Sequence, residues 1–193
     1  MCGILGSIGQ FNNINSDTFH QALIRSNYRG PDYSDSHNFI SSNNQVFLGH
    51  NRLSIIDLNP TGNQPKTSHS KNNMIIFNGE IYNHIELRNK FPSDFNWASN
   101  SDTETLIELI EKFGIAQTLS MIRGMFAFAV YDFKKDIITI ARDISGKKPL
   151  YLYFHDTGLI FSSDLNSPSH LGMPSKKISQ TAINQLLKFN YIP

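Results

Sequence analysis

The single cysteine of this 193-residue chain stands at position 2, directly after Met1. The thiolate is the reactive form of cysteine, and at neutral pH a free thiol keeps its proton unless a base stands beside it. Removal of Met1, which the small side chain after it favours, would give Cys2 a base of its own. The exposed α-amine has a reference pKa of about 7.7–8.0, close enough to neutrality to accept a proton and return it. Nucleophiles at a mature N-terminus are activated in this way. Gly3 follows and would let backbone and substrate approach the sulfur closely. On position alone, a small residue in second place is as readily a chance occurrence.

Attack of a thiol on a carboxamide creates an oxyanion, which needs donors already in place. The run Phe77-Asn78-Gly79-Glu80-Ile81-Tyr82-Asn83 offers an Asn side-chain amide and a Gly N–H where a strand ends. Taken by itself, Asn-Gly is more simply a turn dipeptide. A free amino acid as substrate would further require a guanidinium for its α-carboxylate and a carboxylate for its α-ammonium. Arg52, in Gly49-His-Asn-Arg-Leu-Ser-Ile-Ile-Asp57, and Asp102, at the head of a helical pattern, have the right chemistry. Alone, Arg52 reads equally as half of a surface ion pair, and Asp102 as a first-turn carboxylate answering the helix dipole.

The elements that must position these groups follow from the apolar periodicity. Cys2–Gly9 reads as a buried strand, and Asp17–Ser26 as a helix with Phe19, Ala22 and Leu23 on one face. Strands are expected at Val46–Leu48, Leu53–Ile56 and Met74–Phe77, the last running into a turn at Asn78-Gly79. Arg52 would then end one strand where another begins. Ser101-Asp-Thr-Glu104 is the pattern of a capping box, and Leu106, Ile107, Leu109, Ile110 and Phe113 continue it at helical spacing. Two hairpins follow: Met125–Asp132 with Ile137–Ala141 around Lys134-Lys135-Asp136, and Leu150–Phe154 with Leu159–Ser163 around His155-Asp-Thr-Gly158. Thr181–Phe189 is a last helix, after which Asn190-Tyr-Ile-Pro193 offers no helix cap. Long hairpin strands with interspersed helices indicate an α+β fold of mainly antiparallel sheets, with helices on their outer faces.

Composition narrows the function classes. Hydrophobic residues make up 39% and charged residues 17%, as in a folded globular domain. The formal net charge is +1, which gives no footprint for nucleic acid or an anionic membrane. No apolar stretch approaches a bilayer span, and no basic segment precedes an apolar one at the N-terminus, as a secretory signal would require. One cysteine excludes an internal disulfide, so a reducing, cytoplasmic location is expected. The seven histidines are scattered without zinc-ligand spacing. Ser145-Gly-Lys-Lys148 has something of a phosphate loop but lacks its upstream glycine.

The motifs together resemble the class II glutamine amidotransferase domain, the N-terminal glutaminase half of asparagine synthetases. The resemblance covers nearly the whole chain in order: MCGILG at 1–6, RGPD at 29–32, GHNRLSIIDL at 49–58, GNQP at 62–65, FNGEIYNH at 77–84, SDTE at 101–104, RGMFAFAVYD at 123–132 and ARDISGKKPLYL at 141–152. It implies an N-terminal-nucleophile αββα sandwich over residues 1–193, with roughly 180–193 starting a connector to a synthetase domain. Cys2 would be the nucleophile, through a γ-glutamyl thioester, and Asn78 and Gly79 the oxyanion hole. Arg52 would hold the α-carboxylate of L-glutamine. Leu53, Ser54, Ile55 and Ile56 would line the pocket, Glu80 would position the substrate, and Asp102 would take its α-ammonium. Arg29 and Asp32 are expected to order loops.

The resemblance implies no metal and no cofactor for this half. ATP and Mg²⁺ would serve a synthetase domain or subunit, and the Ser-Gly-Gly-x-Asp-Ser loop that such a domain uses for ATP is absent. Ammonia would pass to an acceptor there, aspartate by default. Two departures stand out: Tyr28 replaces the usual His before Arg-Gly-Pro-Asp, and Ile144-Ser-Gly-Lys-Lys148 replaces an aromatic-glycine pattern. The latter change bears on the surface that faces the partner. The competing expectation is a non-catalytic domain that keeps the fold only to dock a synthetase, against which stands the joint presence of Cys2, Arg52, Asn78, Gly79 and Asp102.

Overall fold

A computed structural model describes residues 1–42, 44–172 and 179–192. Nine strands and five α-helices run in the order β1 (Gly3–Gly9), α1 (Ser16–Ile24), β2 (Tyr33–Ser41), β3 (Asn44–Arg52), β4 (Lys66–Thr67), β5 (Asn73–Ile81), α2 (His84–Arg88), α3 (Asp102–Phe113), α4 (Ile115–Met121), β6 (Gly124–Asp132), β7 (Ile137–Arg142), β8 (Tyr151–His155), β9 (Gly158–Ser162) and α5 (Gln180–Phe189) among the described residues. The strands form one sheet ordered β2-β3-β1-β9-β8 and a second ordered β4-β5-β6-β7, with every pairing antiparallel.

The two sheets pack face to face, and the strand period of two divides their residues between layers. Ile4, Val46 and Leu48 of the first sheet meet Met74, Ile76, Ala127, Ala129 and Tyr131 of the second. Their neighbours in sequence point outward: Leu5 and Phe47 against Phe19, Ala22 and Leu23 of α1, and Ile75, Phe77, Phe128 and Val130 against Leu106, Ile107, Leu109 and Ile110 of α3. This is a four-layer αββα sandwich. Both faces of β1, β5 and β6 are buried, so each carries consecutive apolar residues, such as Met74–Phe77 and Phe126–Tyr131, rather than an alternation.

Several local expectations change. Asn78 and Gly79 make no turn; they lie inside β5, opposite Ala127 and Phe126. The N–H of Ile81, at the end of that strand, is taken by the Asp102 carboxylate at 2.9 Å. Leu53–Ile56 is no strand but an irregular loop. Ile55 and Ile56 face solvent there, and the Ser54 N–H goes to the Asp32 carboxylate at 2.7 Å rather than to a ladder. Arg52 therefore ends one strand and begins none.

Half of the capping box forms: the Ser101 hydroxyl accepts from Glu104 N–H at 3.3 Å. The buried Glu104 carboxylate instead accepts the N–H groups of Ala98 and Ser99 at 2.8 and 2.7 Å, tying down the segment that leads into α3. Asn190 does cap α5, in the left-handed conformation (φ 60°), with its N–H on Leu186 O at 2.8 Å. β2 has no counterpart among the expected strands, because its polar sequence YSDSHNFIS stays largely exposed at a sheet edge. Among the described residues no helix is long and apolar enough to cross a membrane.

Candidate active site

The start of β1, the end of β3, the C-terminal half of β5 and the start of α3 converge on one open cleft of about 190 Å³. Cys2, Arg52, Leu53, Ile55, Ile56, Asn78, Gly79, Glu80 and Asp102 all line it. Of the residues expected at the site only Ser54 does not. Its N–H is held by Asp32 beneath the loop, so Ser54 shapes the cleft wall without facing into it. A larger surface cleft of about 440 Å³ beside Glu111, Gly114 and Lys135 contains none of the expected residues.

Cys2 is half-buried. Its sulfur accepts the Leu53 N–H at 3.4 Å, and the thiol points to the Leu53 carbonyl at 3.7 Å. Burial pushes the thiol pKa up. The Leu53 amide and the amino terminus pull it back, Asp102 adds to the rise, and Lys148 opposes it. A thiol so placed remains protonated at rest and needs a base to become a nucleophile. Arg29 donates from Nε to the Cys2 carbonyl at 3.2 Å, and Asp32 takes the Ser54 N–H. Neither Arg29 nor Asp32 lines the cleft; both order its walls, as expected. Gly3 is not sterically required, since a Cβ there would sit 3.5 Å from the Arg29 side chain, an ordinary contact.

Gly79 is required. A Cβ at this position would stand 2.5 Å from the carbonyl oxygen of Met125 and 2.8 Å from Phe126 Cα, backbone atoms that cannot turn aside. Glycine is present because β5 and β6 approach closely, and its bare backbone lines the cleft. Asn78 is buried: its Nδ2 lies 3.4 Å from Ser163 Oγ, and its Oδ1 has no partner. One of the two Nδ2 hydrogens serves Ser163, which leaves the other for a ligand. Ser163 also accepts the Ile4 N–H at 3.1 Å and so links β1 to the Asn78 amide. His50, buried and neutral with its pKa lowered to about 3 by burial, joins the two sheets through Phe77 O at 3.1 Å.

Arg52 is buried, and its guanidinium is partly committed. Nη1 donates to Asn59 O at 2.9 Å and to Asn63 Oδ1 at 2.6 Å, and Nη2 donates to Asp57 O. It makes no ion pair within 4.0 Å among the described residues, so the surface-pair reading fails. Gly62 makes room for it, since a Cβ there would collide with Nη2. The 57–63 loop is fixed in turn by Asp57. Burial works against that carboxylate's charge, but the N–H groups of Asn59 and Asn100, both at 2.9 Å, hold its pKa below the usual range. Asp102 is the opposite case: burial raises its pKa to about 6 despite the Ile81 N–H. It is a nearly buried carboxylate with no cationic partner within 4.0 Å among the described residues, the environment that a substrate ammonium would relieve.

Sequence reasoning passed over three contributors. Gln64 accepts the Phe77 N–H at 2.6 Å and donates to Thr103 Oγ1 at 3.1 Å, fastening β5 to α3. Ser163 orients Asn78. Lys148 is 6% exposed and lines the cleft. Gln64 was visible only as part of GNQP and Lys148 only as a member of the 141–152 motif and its Ile144–Lys148 departure; no spacing marked Ser163.

The whole chain, residues 1–193, matches the model of a glutamine amidotransferase domain. Over 209 aligned residues it is 31% identical to a putative glutamine-hydrolysing asparagine synthetase of Methanocaldococcus jannaschii, covering 100% of this chain and 40% of that protein. It is 38% identical over 134 residues to the glutamine-hydrolysing asparagine synthetase B of Escherichia coli, covering 69% of this chain and 23% of that one. Among solved structures, the glutamine phosphoribosylpyrophosphate amidotransferase of Bacillus subtilis superposes with a TM-score of 0.71 at 20% identity, over 89% of this chain and 44% of that chain. The last likeness establishes the fold. The chain spans less than half the length of each of these proteins.

Proposed function

The chain belongs to the glutamine amidotransferase domain family, and on that premise we propose that it hydrolyses L-glutamine to L-glutamate and ammonia through a thioester on Cys2. The domain is enzymatic and homologous to the glutaminase part of asparagine synthetases. The observation that carries the reading is the gathering in one cleft of a thiol, a bare glycine N–H with an amide beside it, a guanidinium and an unpaired carboxylate.

In the proposed reaction, the α-ammonium of glutamine lies on Asp102 and its α-carboxylate on Arg52, so the γ-carboxamide reaches Cys2. The mature α-amine takes the thiol proton as sulfur bonds the amide carbon. The carbonyl oxygen becomes an oxyanion held by Asn78 Nδ2 and Gly79 N–H. The amine returns its proton to the departing nitrogen, the C–N bond breaks, and ammonia leaves. Water then attacks the thioester, giving up a proton to the same amine, and the thiol is restored as glutamate departs. Hydrolysis draws on no metal or cofactor. ATP and Mg²⁺ would act in a synthetase partner, where ammonia would meet an activated acceptor, aspartate in the asparagine-synthetase reading. Nucleic acid and membranes have no part in it, and a cytoplasmic location fits a free thiol nucleophile.

Glutamate release from glutamine tests this directly. The chain with Met1 removed, checked by intact mass, releases glutamate, and Cys2→Ala does not. Undiminished release from Cys2→Ala would remove Cys2 from the mechanism, and absence of release from the mature chain, with and without an added synthetase partner, would favour a docking role.

A further inference from the structure

The cleft holds one cation that the mechanism above does not use. Lys148 sits in the turn between β7 and β8, and that turn is rigidly built. The Asp143 carboxylate accepts the N–H groups of Phe126 at 3.1 Å, Lys147 at 3.0 Å and Lys148 at 3.1 Å. Burial opposes its charge, but these donors hold its pKa below the usual range. The Lys148 carbonyl accepts Arg142 Nε at 2.6 Å, and Pro149 fixes the next residue. The backbone on both sides of the side chain is therefore pinned, and the lysine is delivered into the cleft wall with almost no solvent contact.

The charged groups around Cys2 come from several elements. The amino terminus, carried by Met1 here and by Cys2 in the mature chain, lies beside it. Arg29 lies behind it, turned to the Cys2 carbonyl. Arg52 ends β3, with Asp57 in the loop beyond it. Glu80 lies on β5, Asp102 opens α3, and Lys148 comes from the β7–β8 turn. Three of these are carboxylates, and a thiolate on Cys2 is disfavoured by burial and by the charge of one of them, Asp102. Arg52 spends donors on Asp57, Asn59 and Asn63. Lys148, by contrast, has no carboxylate within 4.0 Å and no side-chain hydrogen bond among the described residues.

An ammonium with no partner, on a largely buried side chain, acts through its field. We propose that Lys148 is the charge partner of the nucleophile, a positioning residue whose unpaired ammonium stabilises negative sulfur on Cys2 and disfavours a second positive charge on the adjacent α-amine. It transfers nothing: the thiol proton still goes to the α-amine. Both actions have one sign. A nearby cation makes every neighbouring acid give up its proton more readily, so the thiol–amine pair reaches its singly deprotonated, reactive form at lower pH. Because thiol and amine titrate as a pair, the shift belongs to the pair. The inference rests on the Cys2 reading but is measured separately from glutamine hydrolysis.

The test uses iodoacetamide, an uncharged alkylating agent, on the mature chain. Cys2 is the only thiol, so the alkylation rate read by intact mass against pH reports this residue alone. In Lys148→Met the acidic limb of that profile moves to higher pH by about one unit, and Lys148→Arg returns it to the native position. The acidic limb of kcat/KM for glutamine moves in parallel. Lys148→Gln provides the same readout should the Met variant fail to fold. An unmoved alkylation profile in a folded neutral variant overturns the proposal, as does an Arg variant that shifts as far as the neutral ones. A rise in KM with the alkylation profile unmoved would make Lys148 a substrate ligand instead, and also overturns it. A shifted alkylation profile in a chain that hydrolyses no glutamine would leave this inference standing and remove the glutaminase reading.

Discussion

The Leu53 N–H donates to Cys2 Sγ at 3.4 Å, and the Cys2 thiol points back to the Leu53 carbonyl at 3.7 Å, so the proposed nucleophile rests against the first residue of the loop that borders the candidate cleft. Access to the sulfur is therefore tied to what occupies that loop. L-Glutamate, the proposed product, would sit on Arg52 and Asp102 with its γ-carboxyl over Cys2. At ten times its dissociation constant it should slow iodoacetamide alkylation of Cys2 about tenfold. D-Glutamate should give little protection, because the three anchors define a hand. Equal protection by both enantiomers would mean that the anchors are misassigned.

Asp102 trades stability for binding. Its carboxyl has a pKa raised to about 6 by burial. An acid whose pKa is raised on folding favours the folded chain when protonated, below its unfolded value, and loses that contribution as pH rises through 6. At neutral pH the charge therefore costs about 2–3 kcal/mol. Asp102→Asn removes the charge and keeps an oxygen for the Ile81 N–H. The thermal midpoint at pH 7.5 should rise by about 5 °C, while kcat/KM for glutamine falls about 10- to 100-fold. In the native chain kcat/KM should also fall as pH drops through about 6, and this limb should be absent in the variant. A variant no more stable than the native chain at pH 7.5 would mean that the charge is already compensated.

Arg52 cannot be replaced by lysine. Its guanidinium spans Asp57 O, Asn59 O and Asn63 Oδ1, and the remaining edge is what the substrate carboxylate would meet. One ammonium cannot hold three acceptors and a ligand in fixed geometry. Arg52→Lys should raise KM for glutamine about 10-fold or more and lower the thermal midpoint, while alkylation of Cys2 continues. An unchanged KM would assign the carboxylate to another group.

What could be read from the sequence was what periodicity and residue chemistry encode. The doubly buried strands Gly3–Gly9 and Gly124–Asp132 showed as apolar runs, α3 as a helical stripe, and Cys2, Arg52, Asn78 and Asp102 as candidate groups, which the fold brings to one cleft. Other features were decided by tertiary contact. Asn78-Gly79 looked like a turn because the dipeptide favours one, yet pairing with Ala127 and Phe126 holds it in a strand. Leu53–Ile56 looked like a strand from its residue types, but Asp32 takes the Ser54 N–H and leaves a loop. Ser163 and Gln64 act on β5 from 85 and 13 residues away, separations that leave no local pattern. β2 was hidden because an exposed edge strand needs no apolar face.

Gly79 offers the sharpest separation of structure from chemistry. Its neighbours Phe77 and Ile81 are core residues, so β5 cannot slide to admit a side chain without unpacking them. A methyl group would meet the Met125 carbonyl and Phe126 Cα, and the strand pair would have to part at the point where the Gly79 N–H faces the cleft. Overpacking of this kind costs about 1–3 kcal/mol, which a native domain can survive. Gly79→Ala should therefore fold with a lowered midpoint, and its Cys2 should still be alkylated at a near-native rate, because the thiol environment of Leu53 is untouched. Glutamate release should nonetheless fall by about 10²- to 10³-fold, the loss expected when one oxyanion donor is displaced. Folding with full activity would mean that the oxyanion is held elsewhere, and Ser163, within 3.4 Å of Asn78 Nδ2, would be the first alternative to mutate.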